Sequence, residues 1–295
     1  MAIFKGAGVA IVTPMHANGE VNYDKLRELI DFQINGGTDS IVICGTTGES
    51  STLSEEEHLN VIKECVKHVD KRVPVIAGTG SNCTESAVWM SKEAQAVGAD
   101  ALLLVTPYYN KATQNGLYIH FKTIAEAVDI PVLLYSVASR TGVNIAPATV
   151  ARLFKDVENI VGIKEASGNI AQCAEIMQLT NGEISLYSGN DDQILPILSL
   201  GGMGVISVLS NIAPKETHDM VMNYFEGNLK ESLALQMKYF PVIKNLFSEV
   251  NPIPVKAALN MMGMEAGPVR LPLTEMEEKT AAVLRDEMIK VGLIK

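Results

Sequence analysis

The sequence lacks the arrangements that hold metals and disulfides. Its four cysteines, Cys44, Cys65, Cys83 and Cys173, include no CxxC pair. The five histidines, His16, His58, His68, His120 and His218, are scattered, with no HExxH or similar cluster. No metal site is expected on that basis, and the cysteines read as reduced thiols of a cytoplasmic protein. Long apolar runs are also missing. The longest, residues 194–209, is broken by Pro196, Gly201, Gly202 and Gly204, so it is no membrane span. The segment MAIFKGAGVAIVTP has one lysine and a short apolar run ending at Pro14, and is not read as a signal peptide. An excess of positive charge is absent as well. The formal net charge of -10 argues against nucleic acid and anionic membrane surfaces as partners. An anionic small substrate stays open, because its site needs only local positive charge. Low-complexity tracts do not occur.

What the sequence has is apolar substance, 47% of its 295 residues, enough for one large α/β barrel or two ordinary domains. Eight short β-rich runs follow one another at 7–13, 40–45, 73–79, 101–107, 131–137, 160–167, 184–190 and 204–210. Most are apolar throughout, as strands covered on both faces must be. Helical patterns lie between them. In residues 55–69, Leu59, Ile62, Val66 and Val69 recur at helical spacing, and Ser54 with Glu57 forms a capping box. Eight strand–helix units predict an α/β fold, a closed (β/α)8 barrel of the TIM type. A doubly wound open sheet is the alternative. A dinucleotide fold of that kind would want GxGxxG after a strand, and the nearest candidate, GTGSNC at 78–83, fails at its last glycine.

After the eighth run the pattern is helix only. The predicted organisation is a catalytic barrel over 1–226 with a C-terminal helical appendage over 227–295. The appendage reads as a helix over 227–249 kinked at Pro241, a break at Pro252 and Pro254, and a last helix from Thr274 with a Thr274–Glu277 capping box.

Active sites of such barrels sit at the C-terminal ends of the strands. Lys164 lies there, inside the apolar run IVGIKEAS. A buried lysine loses hydration, which lowers its pKa and frees a nucleophilic amine able to form a Schiff base with a carbonyl. Alternatively its head reaches water at the rim, or pairs with Glu165. Tyr135, in the adjoining strand, can relay protons or simply pack with its hydroxyl satisfied. Thr46 and Thr47 stand between two glycines, a turn that offers N–H groups and hydroxyls to a small carboxylate or caps itself locally. Arg140 offers a planar fork for a carboxylate, or a surface salt bridge. Tyr108 and Tyr109 can shield the mouth.

At these residues the sequence resembles the dihydrodipicolinate synthase (4-hydroxy-tetrahydrodipicolinate synthase) family. That family belongs to the pyruvate-dependent class I aldolases, which include N-acetylneuraminate lyase. The matching segments, spread over essentially the whole chain, are AIVTP (10–14), GTTGES (45–50), AGTGSN (77–82), VTPYYNK (105–111), SRTG (139–142), GIKEASG (162–168) and SGND (188–191). The lysine segment marks the superfamily; GTTGES, the paired tyrosines and Ser-Arg-Thr narrow it to the synthase.

The resemblance implies that Lys164 attacks C2 of pyruvate, and that the enamine adds to L-aspartate-4-semialdehyde. The product would be 4-hydroxy-2,3,4,5-tetrahydrodipicolinate, an intermediate of diaminopimelate and lysine biosynthesis. No cofactor beyond the lysine Schiff base is implied. Thr46, Tyr135 and Tyr109 match the family's proton-relay triad, with Tyr109 donated by a neighbouring subunit of a homodimer or homotetramer (a dimer of dimers). Thr47 and the backbone near Ile206 match the pyruvate carboxylate site, Gly189 is a further substrate-binding position, and Arg140 matches the group that holds the semialdehyde's carboxylate.

Two stretches depart from the family pattern. Ser136 and Ala138 replace the Asn and Pro usual after the strand-5 tyrosine, and Ala112 stands where proline is common. A proline lost from a compatible site loosens the unfolded or mobile chain by about 0.4–1 kcal/mol. Some members bind lysine as an inhibitor at a subunit interface. The matching positions are Ser50, Ser51, Glu55, His58, Asn82, Ser86 and Tyr108; Ser86 replaces the glutamate usual in sensitive members, and Glu55 the histidine. Glu85 is next door, but one helical residue turns the side chain by about 100°. Weak or absent inhibition is therefore expected. The competing readings are a sugar-acid lyase of the same superfamily and a non-catalytic sensor of 2-oxo acids.

Overall fold

The computed structural model describes residues 2–295. Eight parallel strands, β1 Gly6–Ala10, β2 Ser40–Ile43, β3 Val75–Gly78, β4 Ala101–Val105, β5 Val132–Ser136, β6 Ile160–Glu165, β7 Ser185–Ser188 and β8 Gly204–Ser207, pair in sequence order and close by β8 against β1. The open-sheet alternative is thereby set aside. Around them run α1 Tyr23–Asn35, α2 Glu55–Val69, α3 Thr84–Ala96, α4 Gln114–Ala125, the short α5 Ala138–Thr141, α6 Pro147–Asp156, α7 Ile170–Leu179, α8 Ile194–Ser199 and α9 Pro214–Phe225. Three helices follow: α10 Leu229–Asn245, α11 Ile253–Met261 and α12 Glu278–Val291. Among the described residues no helix is long and apolar enough to cross a membrane.

Two apolar layers explain why the strands read as continuous apolar runs. Side chains alternate across a strand. One set, including Val42, Ile76, Leu103, Leu133, Tyr135, Tyr187 and Ile206, fills the barrel. The other, including Ile41, Ile43, Leu102, Leu104, Leu134, Ile163 and Leu186, packs outward beneath the helices. Tyr187 stacks on Phe4 at 4.4 Å between ring centroids and donates its hydroxyl to the Phe4 carbonyl at 2.6 Å. That pair packs inside the barrel, with Phe4 just ahead of β1.

The helix signals held unevenly. The Ser54–Glu57 capping box is present at the start of α2, with bonds of 3.2 and 2.9 Å. The Thr274–Glu277 box is not. The last helix starts at Glu278 with no side-chain cap from Glu277; instead Glu249, from the end of the α10 segment, accepts the Glu277 N–H at 3.1 Å and bonds Thr280. A tertiary carboxylate has displaced the local one. Pro254 also differs from expectation. It sits in the first turn of α11 rather than before it, where the missing N–H would have had no intrahelical acceptor. Pro241 lies inside α10.

Candidate active site

Alternation on β6 decides what Lys164 can reach. Ile163 faces outward, so Lys164 faces the barrel interior and Glu165 faces the helices. Parallel register sets Lys164 level with Tyr135 on β5 and Tyr187 on β7. Lys164 is 5% exposed and Tyr135 6%, and the lysine Nζ lies 4.5 Å from the centroid of the tyrosine ring. Glu165 is engaged elsewhere, accepting the Ser167 N–H at 2.6 Å and the Gln172 amide at 2.9 Å. Burial raises its pKa, and those bonds pull the other way. So the amine is neither at the rim nor paired with its sequence neighbour.

A cavity of about 330 Å³ opens above this lysine, walled by Tyr135, Thr47, Arg140, Gly189, Val208 and Asn251 among others. Gly189 is a requirement of space. A Cβ there would lie 2.6 Å from the Ala166 Cβ and 3.2 Å from the Lys164 Cε, so only glycine lets β7 end this close to the amine. The hydroxyl of buried Thr47 accepts from the Asn251 side-chain amide at 2.9 Å, and Arg140 donates to the Asn251 carbonyl at 3.1 Å. One residue thus ties together the two positions matched to carboxylate binding. The Asn251 side-chain oxygen is buried without a partner. Arg140 rides on α5, whose Thr141 hydroxyl receives a 2.9 Å bond from Thr106, while Ser136 donates to Asn144 at 3.1 Å. These bonds hold the loop where the usual proline is missing.

Ile206 is fully buried in the barrel interior, and Val208, two residues on, forms the cavity wall. The turn carrying Val208 is fixed by Asp191, whose carboxylate accepts the N–H groups of Val208 and Leu209 at 3.0 and 2.9 Å. Burial raises the Asp191 pKa, while these bonds and the Lys164 charge lower it. Sequence reasoning did not single out Asn251 or Asp191. Asp191 closed the matched SGND segment, a signal that was available; Asn251 had only the proline-rich break around it.

Thr46 does not wall the lysine cavity. It borders a neighbouring cavity of about 430 Å³ that shares Val137 and Arg140 with the first. The same space is lined by Ser50, Glu55, His58, Ser86 and Tyr108. Asn82 is not part of that wall; its carbonyl accepts from Asn110 at 2.7 Å. His58 donates through Nε2 to the Gly78 carbonyl at 2.7 Å, and burial lowers its pKa against that bond. Tyr109 is 90% exposed at a left-handed φ of 73°, and within one chain its ring stays outside the lysine cavity. Among the described residues no group of three or more His, Cys, Asp or Glu side chains is arranged to hold a metal.

The closed barrel, with a buried amine, a tyrosine and a guanidinium gathered where its strands end, is that of a (β/α)8 enzyme of the class I aldolase type. The model of the Dihydrodipicolinate synthetase family matches residues 3–290, and the chain belongs to that family. It is 66% identical to the 4-hydroxy-tetrahydrodipicolinate synthase of Lachnoclostridium phytofermentans, over 100% of both chains. Among solved structures it is similar to dihydrodipicolinate synthase from Thermotoga maritima, at a TM-score of 0.97 and 44% identity over 99% of this chain and 100% of that one. It is likewise similar to the enzyme from Cyanidioschyzon merolae solved with lysine bound, at a TM-score of 0.97 and 40% identity over 100% of each chain.

Proposed function

We propose that the chain condenses pyruvate with L-aspartate-4-semialdehyde to give 4-hydroxy-2,3,4,5-tetrahydrodipicolinate, in the cytoplasm, on the route to diaminopimelate and lysine. The observation that carries this reading is the buried Lys164 amine under a cavity that also presents Tyr135, Thr47 and Arg140. The amine adds to C2 of pyruvate, and loss of water leaves an iminium. Removal of a C3 proton gives the enamine, which attacks the aldehyde carbon. The semialdehyde's own amine then closes on C2 and releases Lys164. Tyr135 and Thr46 pass the protons, Thr47, Gly189 and the backbone near Ile206 hold the pyruvate, and Arg140 holds the second carboxylate. The reaction needs no separate cofactor. The barrel over 1–226 supplies the amine; the appendage over 227–295 supplies Asn251 to the wall. Four free thiols, three of them buried, suit a reducing compartment. The test is pyruvate-dependent consumption of the semialdehyde, run beside cleavage of neuraminate and 2-keto-3-deoxy sugar acids. Cleavage of a sugar acid without semialdehyde consumption would overturn the proposal.

Tyr109 completes the relay from a second subunit, which is why a single chain leaves it exposed. A homodimer or a dimer of dimers is the assembly expected. Tyr109→Phe should slow turnover by about 100-fold or more, the scale of one proton-transfer group, with pyruvate trapping intact. Sedimentation of a fully active monomer would rule out donation between subunits.

The cavity beside the tyrosines is the candidate effector site, formed by Ser50, His58 and Tyr108, with Asn82 nearby. Its wall has Ser86 where an acid would meet a lysine ligand's ammonium. A missing charged partner costs about 1.5–3 kcal/mol, or roughly tenfold or more in affinity. L-lysine should therefore inhibit weakly or not at all in initial-rate measurements at sub-saturating pyruvate. Sub-millimolar inhibition would show that Glu55 supplies the missing charge.

A further inference from the structure

Beneath the turn at residues 45–50 lies an ion pair that the chemistry above does not use. Lys256, on α11, is 1% exposed and Glu49 3%. The lysine Nζ donates to Glu49 Oε1 at 2.8 Å, to the Thr13 carbonyl at 3.1 Å and to the Pro268 carbonyl. An ammonium has three N–H groups, and all three are committed. The second Glu49 oxygen accepts the Arg270 N–H at 2.9 Å. Glu49 itself stands at φ 54° and ψ 35°, a left-handed conformation that side-chain-bearing residues adopt only when their surroundings hold them there. On its N-terminal side the Gly48 carbonyl is gripped by the Thr13 hydroxyl at 2.7 Å. The Arg270 side chain continues outward to the Thr52 carbonyl at 2.8 Å and to Glu57 through two bonds of 2.6 and 2.8 Å. Its guanidinium holds the Glu57 carboxyl down at about 2, against the opposing effect of burial.

Stability alone is a poor reason for such a pair. Well-packed apolar residues of similar volume often stabilise a core as much as a buried ion pair does. What apolar residues lack is direction. Here directed bonds tie the side chain of Glu49, the left-handed residue of the turn, to Lys256 and Arg270, Lys256 holds the Thr13 carbonyl, and the Thr13 hydroxyl holds the Gly48 carbonyl; that turn presents Thr46 and Thr47. We propose that the Glu49–Lys256 pair is a positioning device that sets the substrate-binding turn from below. The proposal rests on the reading of Thr47 as a pyruvate contact.

The experiment compares wild type, Glu49→Gln, Lys256→Met, the double variant and Glu49→Asp, reading Tm, kcat, the pyruvate KM and borohydride trapping. Each neutralising single variant leaves one buried charge unpaired and should lower Tm; the double variant removes both and should regain most of that loss. Positioning predicts that the double variant nonetheless keeps a pyruvate KM raised about tenfold, with kcat at saturation falling far less. Glu49→Asp keeps the charge but shortens its reach, so it should lose less Tm than Glu49→Gln and still raise KM severalfold. Recovery of both Tm and KM in the double variant would overturn the proposal, as would an unchanged KM in folded Glu49→Asp. Wild-type trapping at Lys164 tests the reaction itself, so failure there is distinct from failure of the pair.

Discussion

Replacing Lys164 with alanine is expected to abolish borohydride trapping of pyruvate and to lower kcat by about 10,000-fold or more, the scale on which loss of a covalent nucleophile is felt. The wild-type protein should carry a reduced three-carbon adduct on Lys164, located by peptide mapping. The fold should survive the substitution. Lys164 faces a cavity of about 330 Å³, so its removal enlarges a space already open to water. Its neighbour Glu165 depends on Ser167 and Gln172, and Asp191, which loses the nearby Lys164 charge, keeps the N–H groups of Val208 and Leu209. This is the opposite of Lys256, whose removal strands a buried Glu49. An adduct on another lysine, or trapping that persists in Lys164→Ala, would dispose of the mechanism.

Arg140→Ala should raise the KM for the semialdehyde by roughly tenfold to a hundredfold, since a charge-assisted contact to a carboxylate contributes about 1.5–3 kcal/mol. Arg140 is exposed at the mouth, where water competes for the charge, so the lower end is the better expectation. Pyruvate trapping at Lys164 should persist, because the guanidinium lies on the wall shared by the two cavities and the amine beneath it keeps its surroundings. Loss of trapping with unchanged semialdehyde affinity would mean that Arg140 serves the lysine and not the second substrate.

Much of the barrel was legible because burial on both faces leaves a simple trace, a run such as ALLLV in β4, whose side chains alternate between barrel interior and helix layer. Lys164 was legible for the same reason: an ammonium group has no place in such a run. The supports of the site were not. Asn251 meets Thr47 across 204 residues of sequence and Lys256 meets Glu49 across 207; no periodicity connects them. The misplaced start of the last helix has the same origin, for Glu249 reaches across from another segment to cap it. Tyr109 carries the opposite lesson. Its left-handed, exposed placement follows from the loop, but the role proposed for it needs a second subunit.

The contribution of residues 251–270 to the mouth also sets an order of events during synthesis. The turn at residues 45–50 leaves the ribosome early, yet Asn251, Lys256 and Arg270, which brace it, are translated some 200 residues later. A nascent chain stalled near residue 245 has all eight strands and the reactive lysine, but Glu49 is without its counter-ion and Thr47 without its amide partner. Thr47 and Glu49 therefore meet these partners only after residues 251–270 have been made, and a chain truncated before them carries Lys164 without Asn251 in the wall beside it.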